Sequence, residues 1–176
     1  MKKISDILLR AFALVLTALI LLPLSGCIKA KHLVLEAKWD GDFCYSIYDD
    51  DTAVIIAYTG SDEVLKLPSK FEGKRVIGFG TKTFENRNDL REVYIPSSVT
   101  FLSAKLFCRC EKLEKVFIPY SVRSIGKNVI YECPAFTTVL FGGTVAGWDA
   151  VNIGQIPWTD NYVLINAEIV YNQEWE

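Results

Sequence analysis

The chain has 176 residues, the length of one ordinary domain, of which 51% are apolar, with 19 basic residues, 21 acidic residues and one histidine. Lys2, Lys3, Arg10 and Asp6 fall in the first 26 residues, so the remainder keeps 16 basic and 20 acidic side chains, a formal charge of −4. With no basic stripe, the electrostatic footprint of a nucleic-acid binder is missing. A single histidine also leaves little room for Ser-His-Asp or Cys-His catalysis.

The N-terminus reads as a targeting segment. Lys2, Lys3 and Arg10 precede the run Ala11 to Leu22, apolar apart from Thr17, and Pro23 breaks it before Leu24-Ser25-Gly26-Cys27. A basic start, a short apolar core and small residues at a cleavage point describe a secretory signal peptide over residues 1–26. A spanning helix needs ~20 apolar residues, and this run is shorter even when extended back to Ile7. Leu24-Ser25-Gly26-Cys27 resembles the lipobox of bacterial lipoproteins, in which the cysteine is lipidated and becomes the first mature residue. Cys27 is therefore the expected lipidation site, and acyl chains contribute ~0.8 kcal/mol per buried methylene to anchoring.

Residues 27–42 are expected to form a juxtamembrane segment, in which His32 has no evident partner. Phe43, Tyr45 and Ile47 alternate before Asp49-Asp50-Asp51-Thr52, and Ala53, Ile55 and Ala57 alternate after it. Two such runs around turn residues predict a β-hairpin that caps the domain over 43–66. The acidic cluster lacks the spacing of a calcium loop. Leu65-Lys66-Leu67-Pro68 reads as a strand end, followed by an insertion within Ser69 to Arg75 whose natural turn is Glu72-Gly73-Lys74. Such an insertion serves either as a loop on a binding face or as a variant first coil closing the core.

From residue 67 to 142 the chain repeats itself with a step of 23 residues. Leu90-Arg91-Glu92-Val93-Tyr94-Ile95-Pro96-Ser97-Ser98-Val99 returns as Leu113-Glu114-Lys115-Val116-Phe117-Ile118-Pro119-Tyr120-Ser121-Val122. The columns Val76/Val99/Val122, Phe84/Phe107/Ile130 and Val93/Val116/Val139 keep the same step. A period of this size predicts a solenoid whose units bury their apolar sides against one another. In each coil Leu113, Val116 and Ile118 point inward while Lys115 and Phe117 alternate outward, as a strand requires. Pro119 ends the strand because it cannot donate to a ladder. Thr144 is placed to N-cap a helical turn to Val151, with Trp148 over the open end of the core. Leu164, Ala167 and Ile169 restate the strand pattern within a C-terminal cap over 143–176.

The pattern Leu-x-x-Val-x-Ile-Pro-x-x-Val-x-x-Ile-Gly, followed by Phe and Cys, resembles the BspA-like class of leucine-rich repeats over roughly Phe43 to Asn172. Leu67 to Gly78 resembles that family's first coil, and Phe141-Gly142-Gly143-Thr144 with Trp148 resembles its closing segment. Arg87 departs from the pattern at the coil cysteine, and Gly142 at the third proline. The resemblance implies a β-rich repeat solenoid with a parallel concave sheet in residues 43–176. It also implies an extracellular or surface protein that adheres to host or neighbouring-cell proteins and is not an enzyme. Fold alone does not carry function.

Few constellations suggest chemistry. Gly78-Phe79-Gly80-Thr81-Lys82-Thr83 lacks the order of a phosphate loop. Cys108, Cys110 and Cys133 could form a buried ladder, a disulfide or a zinc site, the ladder being the default because Cys110 and Cys133 are repeat-equivalent. No metal or cofactor is expected. The candidate binding surface is the outward column Tyr94, Phe117 and Leu140, edged by Glu92 and Lys115 and joined by Glu72, Lys74 and Arg75 of the insertion. Stacked aromatics can equally serve only to stabilise a sheet. Five strands ~4.8 Å apart with ~4 residues at ~3.3 Å present roughly 300 Å², against ~800 Å² per partner in a standard interface. Binding on that face alone should be weak or driven by avidity. The expectation is a lipid-anchored, non-catalytic module of the bacterial envelope, surface-exposed, whose partner is an extracellular or neighbouring-cell protein or a glycan. The alternative is an inward-facing envelope scaffold with no external ligand.

Overall fold

Alternating apolar residues around a tight turn become paired strands at the start of the domain. In a computed structural model, which describes residues 33–154 and 161–175, β2 (Phe43–Tyr48) and β3 (Thr52–Tyr58) form the expected antiparallel hairpin. The signal segment, Cys27 and His32 lie outside the described residues, as do residues 155–160. The hairpin carries a further strand, β1 (Leu33–Asp40), paired antiparallel with β2 so that Lys38 faces Tyr45 and Asp40 faces Phe43. Residues 33–40 are thus part of the sheet, where a juxtamembrane segment was expected. The two-residue alternation Leu35-Glu36-Ala37-Lys38-Trp39-Asp40 before Gly41-Asp42 is a strand-and-turn signal, and Gly41 takes the left-handed φ of 56° that the turn needs.

The insertion adds β5 (Lys70–Phe71) and β6 (Lys74–Phe79), a second hairpin turning at Glu72 and Gly73, both at positive φ. β6 runs parallel to β3, completing a five-stranded sheet in the order β1-β2-β3-β6-β5. Tyr45 stacks flat on Phe71, with centroids 4.2 Å apart. The insertion is therefore bound into the cap that closes the N-terminal end of the core.

From there each 23-residue step lays one coil on the last. β4 (Val64–Lys66), β7 (Glu92–Tyr94), β10 (Lys115–Ile118), β13 (Thr138–Phe141) and β15 (Glu168–Val170) form a parallel sheet in sequence order. The register is the one the repeat dictates: Tyr94 faces Phe117, and Phe117 faces Leu140. The returning side of the coils is built from β8 (Phe101–Leu102), β11 (Ser124–Ile125) and β14 (Asn152–Ile153), with β9 (Phe107–Cys108) and β12 (Ile130–Tyr131) beside them. Every coil turns twice through left-handed backbone, at Lys82, Lys105 and Asn128 and again at Asn86, Arg109 and Glu132, two sets spaced by the same 23 residues.

Between the two sides, Val76, Val99 and Val122 are wholly buried, as are Val93, Leu90 and Leu113. Phe84 stacks on Phe107 at 5.3 Å. Burying such side chains contributes ~1.5–3 kcal/mol each, and because every coil supplies the same set, the core extends with each repeat. At the far end Thr144 caps α1 (Val145–Asp149), its hydroxyl accepting from Gly147 N at 3.3 Å. Trp148 is buried edge-on against Phe141 at 5.1 Å. A further short helix, α2 (Tyr162–Ile165), places Leu164 in the core before β15. Among the described residues no helix is long and apolar enough to cross a membrane.

Candidate functional site

Three pairs of opposite charges that the repeat places one step apart line up between neighbouring coils. Lys115 Nζ lies 3.1 Å from Glu92 Oε1, Arg91 pairs with Glu114 at 2.7 Å and Arg109 with Glu132 at 2.9 Å, each separated by 23 residues. Exposed pairs of this kind contribute little stability individually; the first two edge the parallel sheet, while Arg109–Glu132 lies beside β9 and β12. The Lys115 ammonium, and after it the Tyr94 hydroxyl donating at 2.9 Å, hold the Glu92 carboxyl below the usual carboxylate range. Burial raises the Tyr94 phenol in turn, with a smaller contribution from Glu92.

Tyr94, Phe117 and Leu140 form the predicted column, but it is not an open aromatic face. Tyr94 and Leu140 are half-buried, and Phe117 is only 5% exposed. The covering group is Trp175, from the segment after β15, which by sequence reads as a polar tail. Asn172 N donates to Gly143 O at 2.9 Å and Gln173 N to Phe141 O at 3.0 Å, carrying the segment back across the strand ends. The Trp175 ring then sits 5.6 Å from the Tyr94 ring and 6.0 Å, edge-on, from that of Phe117. Its indole N–H donates to Ile95 O at 3.1 Å. Beside it opens a cleft of about 640 Å³ lined by Ser97, Tyr120, Arg123, Gly142 and Glu174. There the Arg123 guanidinium lies 4.9 Å over the half-exposed Tyr120 ring. Sequence reasoning missed Trp175 because a lone tryptophan among Asn, Gln and Glu belongs to no periodic pattern.

The insertion charges stand apart from this column. Lys74 is tied to Asp51 at 2.5 Å and Glu72 to Lys38 at 3.5 Å, both on the N-terminal sheet, and Arg75 is exposed on β6. The parallel sheet that carries the column is a different one. Of the predicted site residues, Tyr94, Phe117, Leu140, Glu92 and Lys115 converge, while Glu72, Lys74 and Arg75 lie apart on the N-terminal sheet hairpin.

The cysteines are structural in their surroundings. Cys44, Cys108, Cys110 and Cys133 are buried and unbridged. Cys110 Sγ approaches Phe84 O at 3.0 Å and Cys133 Sγ approaches Phe107 O at 3.4 Å, so each thiol reaches back to the preceding coil. Contact with Cys133 and burial push the Cys110 thiol well up. Arg87 fills the equivalent place one coil earlier. Its guanidinium donates to Gly60 O and to Asp89 at 2.8 Å and lies 5.2 Å from the Tyr58 ring. Burial, then the hydrogen bond to Asp62, pushes the Tyr58 phenol up to about 12. Among the described residues no cluster of His, Cys, Asp and Glu is arranged to hold a metal.

Comparison with known proteins agrees with this architecture. A family model described as a BspA type leucine rich repeat region matches residues 66–149 in six copies. A leucine rich cell surface protein from Faecalibacterium prausnitzii is similar at 26% identity with a TM-score of 0.54, over 61% of this chain and 33% of its own. A leucine-rich repeat protein from Bacteroides capillosus shares 19% identity with a TM-score of 0.61, over 76% of this chain and 98% of its own. Another from Bacteroides ovatus shares 23% identity with a TM-score of 0.51, over 58% and 29%. The chain thus spans a third or less of two of these three relatives. No curated protein matches it.

Proposed function

We propose that this chain, a BspA-like leucine-rich repeat protein whose residues 66–149 match that family's repeat model, serves the bacterial cell envelope as a non-catalytic, lipid-anchored protein-binding module. Lipidated Cys27 would hold it to the membrane, and its partner would be an extracellular or neighbouring-cell protein. The single observation carrying this reading is the register-aligned column Tyr94–Phe117–Leu140 on a parallel sheet, rimmed by the Glu92–Lys115 pair. Aromatic centres within a polar rim are where interface energy concentrates. The similarity to a leucine rich cell surface protein from Faecalibacterium supports the location. Since the face is small against a standard interface, many tethered copies would supply the avidity.

The test is capture of partner proteins by the chain lacking residues 1–27, compared with a folded Tyr94→Ser/Leu140→Ser variant. Loss of capture of at least tenfold is expected, and equal capture by the folded variant refutes the site. Protease treatment of intact cells decides the side of the membrane: a fully protected domain would favour the inward-facing scaffold.

A further inference from the structure

The place where Trp175 is seated has a backbone cause. In a parallel ladder the carbonyl of one residue accepts from the residue that follows its partner. Ile118 O receives its bond in this way from Gly142 N at 2.9 Å. One coil earlier the corresponding donor for Ile95 O is Pro119, which has no N–H. One coil earlier still, Pro96 withholds a donor from Leu67 O by the same rule, Leu67 being held in register by its own N–H to Tyr94 O at 3.0 Å. The two prolines therefore leave acceptors at the ends of β4 and β7, directly beside the Tyr94 and Phe117 rings. Such a site selects a group with both an aromatic face and a directed N–H. An indole meets both demands, whereas a phenylalanine lacks the donor. A cationic side chain is disfavoured because Lys66 Nζ already lies 5.9 Å from the Tyr94 ring centroid and Lys115 stands beside Glu92.

Trp175 is the group that occupies it, yet the fold does not need it to close the core. Trp148, Leu164 and Tyr171 cover the far end, and Trp175 is not among the side chains packed into the core. It remains partly exposed on a segment whose neighbours are Gln173 and exposed Glu174. We propose that Trp175 is a resident stand-in for the partner: the Tyr94–Phe117–Ile95 site is a receptor for a tryptophan presented by an extended segment of another protein, which binds by exchanging with the chain's own indole. The proposal rests on the binding role of this sheet and adds the chemistry of the partner and a self-occupied resting state. Because the internal indole is tethered, it competes at an effective concentration in the millimolar range, and the apparent affinity for an external segment falls by the fraction of chains in which the site is open.

The test uses a labelled synthetic peptide, Tyr-Asn-Gln-Glu-Trp-Glu, which copies residues 171–176, and the full chain with Trp175→Ala. The variant should bind the peptide at least tenfold more tightly than the unaltered chain does. Replacing the peptide's Trp with Ala, or adding Tyr94→Ala to the variant, should each weaken binding by tenfold or more. Trp175→Phe, which keeps a ring but loses the N–H to Ile95 O, provides a second folded receptor and should also bind more tightly than the unaltered chain. The proposal is overturned if folded variants bind the peptide no better than the unaltered chain, or bind the Trp-less peptide equally well. That failure, together with retained partner capture through Tyr94 and Leu140, would remove the indole receptor and leave the binding module standing.

Discussion

Asn161 should be among the most costly polar residues of the domain to replace. It is wholly buried, at φ 61°, just where α2 begins to cover β12, which among the described residues has no following strand beside it. Its Oδ1 accepts from Val129 N at 2.9 Å, and its Nδ2 donates to Gly126 O at 2.9 Å and Gly154 O at 2.8 Å. Truncation to Ala orphans all three groups. The Val129 N–H, on a buried residue, should cost about 1–3 kcal/mol, and the two carbonyls, which water can reach in part, about 1 kcal/mol each. Alanine in left-handed backbone adds about 1–2 kcal/mol. The total, about 4–7 kcal/mol, is a large share of a typical domain stability of 5–15 kcal/mol. With ~2–4 °C per kcal/mol for a chain of this size, the thermal midpoint should fall by about 8 °C or more. The assay is urea unfolding followed by far-UV circular dichroism on wild type, Asn161→Ala and Asn161→Gly. Glycine accepts the backbone angle freely, so it should recover about 1 kcal/mol relative to Ala. A loss below about 1 kcal/mol for Asn161→Ala, or a Gly variant no better than Ala, would refute the reasoning.

Two further expectations follow from the same geometry. Gly126 and Ser103 are repeat-equivalent, so sequence alone allows Ser at 126, but a Cβ there would meet Ala104 N at 2.6 Å and Ser103 C at 3.0 Å, both backbone. Gly126→Ser should therefore cost about 1–3 kcal/mol or more by overpacking. Gly80→Ser, at the third equivalent position, meets nothing nearer than 3.4 Å and should be close to neutral in the same urea assay. The depressed Glu92 carboxyl gives a sign for pH dependence: stability from its pairing is present above the ordinary carboxylate range and is lost as pH falls through the lower, folded-state value. Carbon-detected NMR titration should show the Glu92 carboxyl moving up toward normal in Lys115→Gln, and by less in Tyr94→Phe; no movement in either would contradict the assignment.

The partition between sequence and tertiary structure is visible in particular residues. The step of 23 placed Val93, Val116 and Val139 in one buried column and Tyr94, Phe117 and Leu140 in another, and the strand register reproduces both. Periodicity could do this because each coil meets only its neighbours, so one local rule repeats. The same step separates Arg91 from Glu114 and Lys115 from Glu92, which pair across adjacent coils. The rule stopped short at the first coil, where Phe71 and the β5–β6 hairpin were legible as an insertion but their docking on Tyr45 was not. Asn161 lies in a single non-repeated turn, and its partners at Gly126 and Val129 are more than 30 residues away.

The sequence by itself determined the solenoid and its register, because these depend on residue type and spacing along the chain. Only the tertiary structure decided whether the aromatic column stands open. Trp175 reaches Ile95 across 80 residues of sequence, and it can do so because Pro119 leaves that carbonyl without a ladder donor. A contact made once, between a segment outside the repeat and a gap within it, has no periodic trace.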